Sequence, residues 1–224
     1  MKIIDRETGQ RLKEADPLKR NVDRGLESIE NSPMDPPDAY SIPAKEEDAP
    51  LHPLLLQLKA DHVGMVDVAT AFEEGLRKFI EGKYHFSEEV NTAFKDFFND
   101  YDEKVLPLLH LERQVIYPEL QKQLLLAGEH SKEDTPKTVV DLLEDDHVKI
   151  IQLGALSFNF FGLAARLSDE KSRMFVLDTA CGNARELIEV IKLHYFREDN
   201  SLFPMVGKYI NKDELDGMFK RIKR

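Results

Sequence analysis

The chain has 224 residues, of which 42% are hydrophobic and 33% charged, with a formal net charge of −11 and a single cysteine, Cys181. The negative balance argues against a nucleic-acid partner, because phosphates demand basic surface. One cysteine leaves no intrachain disulfide framework and no multi-thiolate zinc or iron–sulfur site, and it fits a reducing, cytoplasmic setting. No stretch reaches the roughly 18 apolar residues that a membrane helix needs, and Met1-Lys-Ile-Ile-Asp-Arg-Glu-Thr8 lacks the apolar segment of a secretory signal.

Residues 1–47 read as a polar, proline-rich N-terminal extension, carrying Ser32-Pro-Met-Asp-Pro-Pro-Asp-Ala-Tyr-Ser-Ile-Pro43. Prolines at that density stop helix continuation and favour extended backbone. Residues 48–224 read as a helical domain. The first helix is predicted from about Pro53 to Ile80. The second opens at Ser87-Glu-Glu, a capping sequence, and runs to about Ala127 with a kink expected at Pro107. The third opens at Thr135-Pro136 and runs to about Leu167. The fourth opens near Ser168-Asp-Glu and runs to about Pro204 or just beyond. A short fifth helix follows the capping box Asn211-Lys-Asp-Glu214, and its basic end, Lys220-Arg-Ile-Lys-Arg224, complements the helix dipole. Nothing reads as a strand. Four long amphipathic helices with short connections predict an all-α, antiparallel four-helix bundle with a short extra C-terminal helix.

The apolar stripes carry unexpected polar residues. Leu187, Ile191, His194, Glu198 and Leu202 share one face of the fourth helix. Val140, Leu143, His147, Ile151 and Gly154 place His147 inward on the third, and Leu55, Leu58, His62, Val66 and Ala69 do the same for His62 on the first. A buried histidine or carboxylate costs several kcal/mol unless it is hydrogen-bonded, paired or coordinated. A lone core histidine is ordinarily satisfied by a hydrogen bond, but three such helices together point to a metal. Imidazole and carboxylate without thiolate suit iron, manganese or zinc.

The polar residues also repeat. Asp61-His62-Val63 recurs as Asp146-His147-Val148. Each copy is followed one helical hairpin later by an acidic cluster ending in proline: His110-Leu-Glu112-Arg-Gln-Val-Ile-Tyr-Pro118 and His194-Tyr-Phe-Arg-Glu198-Asp-Asn-Ser-Leu-Phe-Pro204. His62 and Pro118 are 56 positions apart, and His147 and Pro204 are 57 apart.

His62, His147 and His194-Tyr-Phe-Arg-Glu198 running into Leu-Phe-Pro204 resemble the hemerythrin-like, or HHE cation-binding, family over roughly Leu51 to Lys208. The resemblance implies a four-helix bundle holding a non-haem di-iron centre. It implies His62, His147 and His194 as terminal iron ligands, Glu198 as a bridging carboxylate, and an open position for a diatomic molecule or peroxide.

The second helix departs from that pattern. The family places histidine ten residues before the proline and glutamate six before it, and Pro118 counts back to Leu108 and Glu112. Counting forward from the duplicated histidines points to His110 instead, which lies 48 positions after His62 where His194 lies 47 after His147, and leaves Gln114 where the carboxylate would be. A regular helix cannot turn both inward, since two residues rotate the side chain by about 200°. The stripe Tyr101, Val105, Leu108, Glu112, Ile116 favours Glu112, with His110 sharing a face with Glu103, Arg113 and Tyr117. A π-bulge or kink near Pro107 would turn His110 inward as well. Both His110 and Glu112 therefore stand as candidate metal ligands. His52 reads as solvent-facing or as a helix cap, His85 and His130 as exposed connections, and Tyr117 and Tyr195 chiefly as core packing.

The expected function is a non-haem iron protein that binds dioxygen, nitric oxide or peroxide. A redox enzyme for peroxide or nitric oxide detoxification or for iron-centre repair is an alternative, and so is a structural bundle with an incomplete metal site. The expected partner is a small diatomic molecule or peroxide, with no nucleic acid and no membrane.

Overall fold

A computed structural model describes residues 51–132 and 134–222, and the expected N-terminal extension falls outside the described residues. Among them all regular structure is helical and there is no strand. Helix α1 is Pro53–Glu81. Next come α2, Glu88–Asp100, a π turn at Tyr101–Val105, α3, Leu106–Leu111, a second π turn at Glu112–Ile116, and α4, Tyr117–Ala127, without a break. Helix α5 is Val139–Ala164. Helix α6, Glu170–Arg197, passes through a third π turn, Glu198–Leu202, into α7, Phe203–Tyr209. Helix α8 is Lys212–Ile222. No helix of the described residues is long and apolar enough to cross a membrane.

The ends follow from local chemistry. Ser87 caps α2, its hydroxyl accepting from the Val90 amide. Gly128 ends α4 at φ 77°, a left-handed conformation that glycine adopts without steric cost. Asn211 and Glu214 form a reciprocal capping box on α8. The third long helix begins later than Thr135-Pro136, at Val139. Thr138 caps it: its hydroxyl accepts from the Val140 amide, while Asp141 Oδ2 accepts from the Thr138 amide at 2.7 Å. Asp141 sits three residues past Thr138, where a carboxylate can reach back to the capping residue, and Thr135 has no such partner in the sequence.

The three π turns share one sequence signature. Each begins six residues before a proline: Tyr101 before Pro107, Glu112 before Pro118 and Glu198 before Pro204. Proline lacks an amide hydrogen, and its ring crowds the carbonyl four residues back. A turn one residue wider draws that carbonyl away. The Leu106 amide accordingly donates to Tyr101 O, and the Phe203 amide to Glu198 O, each five residues back. The kink expected at Pro107 is thus a wide turn just before it, and each wide turn shifts the helical phase of everything downstream.

Contacts divide the chain into two compact units, and α1, α5 and α6 contribute residues to both. One unit comprises Leu58–Glu112 and Asp145–Lys192. Its core is aromatic: Phe72 stacks on Phe97 with ring centres 4.1 Å apart and meets Phe94 edge-on, and Phe94 meets Phe161. Tyr101 lies over Gly154 and donates its hydroxyl to Ile150 O at 3.0 Å. A Cβ on Gly154 would sit 2.1 Å from that hydroxyl, so the close approach requires glycine. Ile150 is buried and Ile151 is exposed, a one-residue correction to the stripe expected for this helix. The other unit comprises residues 51–57, Arg113–Glu144 and residues 193–222. There α4 packs on α7, Tyr209 donates to Glu129 at 2.6 Å, and His52 accepts from the Leu54 amide as a cap while its Nε2 pairs with Asp216 at 3.1 Å.

Candidate metal centre

Five of the six candidate ligands are buried. His62, Glu112, His147, His194 and Glu198 expose 1%, 0%, 3%, 0% and 0% of their surface. Their stripes place them there. His62 follows Leu58 by one turn, His147 follows Leu143, and His194 and Glu198 continue the run from Leu187 and Ile191. The Asp and Val that flank each duplicated histidine are less buried, with Val63 and Val148 each half exposed. In both copies of the motif only the imidazole enters the core.

Two groupings build the site. In the first, Glu112 faces two histidines: Oε1 lies 3.9 Å from His62 Nε2, and Oε2 lies 3.5 Å from His147 Nε2. In the second, His194 Nε2 lies 3.5 Å from Glu198 Oε2, one turn along the same face. Glu198 Oε1 accepts a 2.9 Å hydrogen bond from the Tyr117 hydroxyl. Glu112, His147, His194 and Glu198 form one buried cluster, in which each residue offers a ligand atom and those atoms all lie within 4.8 Å of one another.

This donor set fits a metal ion. Two carboxylates and two imidazoles, all buried, form a cluster that a divalent cation satisfies, since buried carboxylates need an opposite charge or several hydrogen-bond donors. The absence of thiolate favours iron, manganese or zinc over copper(I) or an iron–sulfur cluster.

His110 does not join the cluster. It is exposed, as is Gln114. The π turn at Tyr101–Val105 precedes it, but the phase that results turns Leu108, Leu109 and Glu112 inward and leaves His110 on the outer face with Arg113. The count from Pro118 therefore matches the burial, and the count from His62 does not. His85 is exposed, and His130, half-buried, lies with Nδ1 2.8 Å from Ser131 O.

Tyr117 is buried, in keeping with the core packing expected of it, although stripe counting set it on the face of His110. A regular helix puts it on the outer face with His110, yet it is 1% exposed. The π turn at Glu112–Ile116 explains this: residues five apart across such a turn share a face, so Tyr117 follows Glu112 inward. The signal in the sequence is Pro118, because each described proline that interrupts a long helix follows a wide turn.

Neither a protein-family model, nor a curated protein, nor a solved structure matches the chain.

Proposed function

We propose that this chain is a hemerythrin-like non-haem iron protein, an antiparallel four-helix bundle that binds dioxygen, nitric oxide or peroxide at its His/Glu site. The observation that carries the reading is the buried cluster of Glu112, His147, His194 and Glu198, with His62 beside Glu112. The paired sequence motifs that place those residues support it.

In this reading Glu112, His147, His194 and Glu198 hold the iron, and Glu112, which faces His62 on one oxygen and His147 on the other, is the carboxylate suited to be shared with a second ion. Bound iron supplies reversible redox chemistry toward small oxygen and nitrogen species. The residues themselves supply charge and enclosure. Glu112 and Glu198 offset the positive charge of the ion, and the histidines present neutral nitrogen donors. Leu108, Ile116, Leu202 and Phe203, all buried and within five residues of Glu112 or Glu198 along the chain, would contribute an apolar setting that limits access of water and tunes the potential of the site.

One observation favours the alternative of a structural bundle with an incomplete site. Leu108 stands one turn before Glu112, where His194 stands one turn before Glu198, and His110 faces outward.

The test loads the metal-free chain anaerobically with iron(II) and adds nitric oxide or peroxide. A stable adduct stoichiometric with the chain is the expected result. Catalytic consumption of either reagent would replace the carrier or sensor with the redox enzyme, and failure to retain iron would leave the structural bundle.

A further inference from the structure

We infer that Tyr117 is a positioning residue that holds Glu198 so that a single carboxylate oxygen, Oε2, is presented to the metal. The inference deepens the proposed function and rests on it.

The two oxygens of Glu198 have different neighbours. Oε1 accepts the Tyr117 hydroxyl hydrogen bond at 2.9 Å, whereas Oε2 lies 3.5 Å from His194 Nε2. A carboxylate free to rotate can close on a metal with both oxygens. One oxygen committed to a phenol donor fixes the torsion of the group and leaves the other to coordinate. Partners of this kind, which hydrogen-bond to a ligand rather than to the metal, set ligand orientation and typically account for 10–100-fold in metal affinity.

The placement of Tyr117 is built, and it does not follow from core packing alone. The wide turn at Glu112–Ile116 carries it inward, and its ring is 1% exposed. The matching position after Glu198, five residues on across the matching wide turn, holds Phe203, which is fully buried. A phenyl ring therefore packs at this position of the motif without a hydroxyl. What Tyr117 adds over Phe203 is one oxygen atom, and that atom is bonded to a candidate ligand.

Tyr117→Phe removes only this atom. The experiment titrates the full chain, wild type and variant, with cobalt(II) as the probe and follows its visible d–d absorption. The absorptivity falls as the coordination number rises. We expect the variant to keep the helical circular dichroism of the wild type and to bind cobalt about 10-fold more weakly or worse, with a weaker d–d band as Glu198 closes on the metal with both oxygens. Equal affinity and an identical band in a folded variant would overturn the inference while leaving the metal site intact. Cobalt that fails to bind the wild type would overturn the metal reading itself, and this inference with it. Should the variant not fold, the infrared difference spectrum of metal-loaded minus metal-free wild type decides: a wide separation of the two carboxylate stretches supports single-oxygen binding, and only narrow separations would overturn it.

Discussion

The segments around Glu112 and Glu198 use one backbone device to different chemical ends. Each places a buried glutamate at the first position of a π turn and a proline six residues later. Two of the buried positions at which they differ bear on the chemistry. One turn before the glutamate stands Leu108 in the first segment and His194 in the second; five residues after it stand Tyr117 and Phe203. The first segment thus lacks an imidazole where the second has one, and carries a hydroxyl where the second has none. That hydroxyl bonds to the glutamate of the other segment. The third wide turn, Tyr101–Val105, has the same proline spacing but opens on a tyrosine, and its one glutamate, Glu103, is exposed. The turn is therefore a backbone consequence of proline, and the chemistry lies in what is placed on it. Duplication of the frame does not require duplication of the ligands.

Substitutions at those positions would break or sharpen the comparison. The largest effect is expected at Glu112, which faces both His62 and His147. Glu112→Leu should abolish metal binding in a titration. It should also raise the melting temperature of the metal-free protein, because a fully buried carboxylate gives way to an apolar side chain of similar size. Leu108→His makes the first segment match the second. It should strengthen metal retention against a chelator by about tenfold or more, roughly 1.4 kcal/mol, and raise the metal content per chain. Pro118→Ala restores an amide hydrogen and lets the wide turn tighten, swinging Tyr117 by about 100°. Its loss of cobalt affinity should approach that of Tyr117→Phe, roughly tenfold, and should exceed that of Pro204→Ala, which releases only Phe203. The smallest effect is expected at exposed His110. His110→Ala should leave metal content unchanged and stability within about 0.5 kcal/mol. Loss of metal there would restore the count from His62 and undo the equivalence of the two segments.

Much of this was legible in the sequence because it depends on helical phase alone. His62, His147, His194, Glu112 and Glu198 fall on apolar stripes, and all five are buried. The helix starts at Ser87 and Asn211 were legible too, since each residue type satisfies terminal backbone groups. The face of Tyr117 is misread because of a wide turn. Counting by 3.6 assumes an unbroken helix, and a wide turn inserts one residue into the count. Tyr117 lies just past such an insertion and went to the wrong face, taking with it the contact to Glu198. The start at Val139 was missed for another reason: Thr138 caps that helix through Asp141, and Thr135-Pro136 offered a competing signal that used neither.

The central claim is that the buried cluster holds a metal ion, and metal content tests it most directly. Full-length protein produced in iron-replete cells, and its Glu112→Leu variant, would be compared by elemental analysis and by thermal melting with and without added iron(II). The account predicts iron stoichiometric with the chain in the wild type, a higher melting temperature when iron is bound, and neither in the variant. Wild-type protein that carries no iron, and whose melting temperature does not move when iron(II) is added, would contradict it.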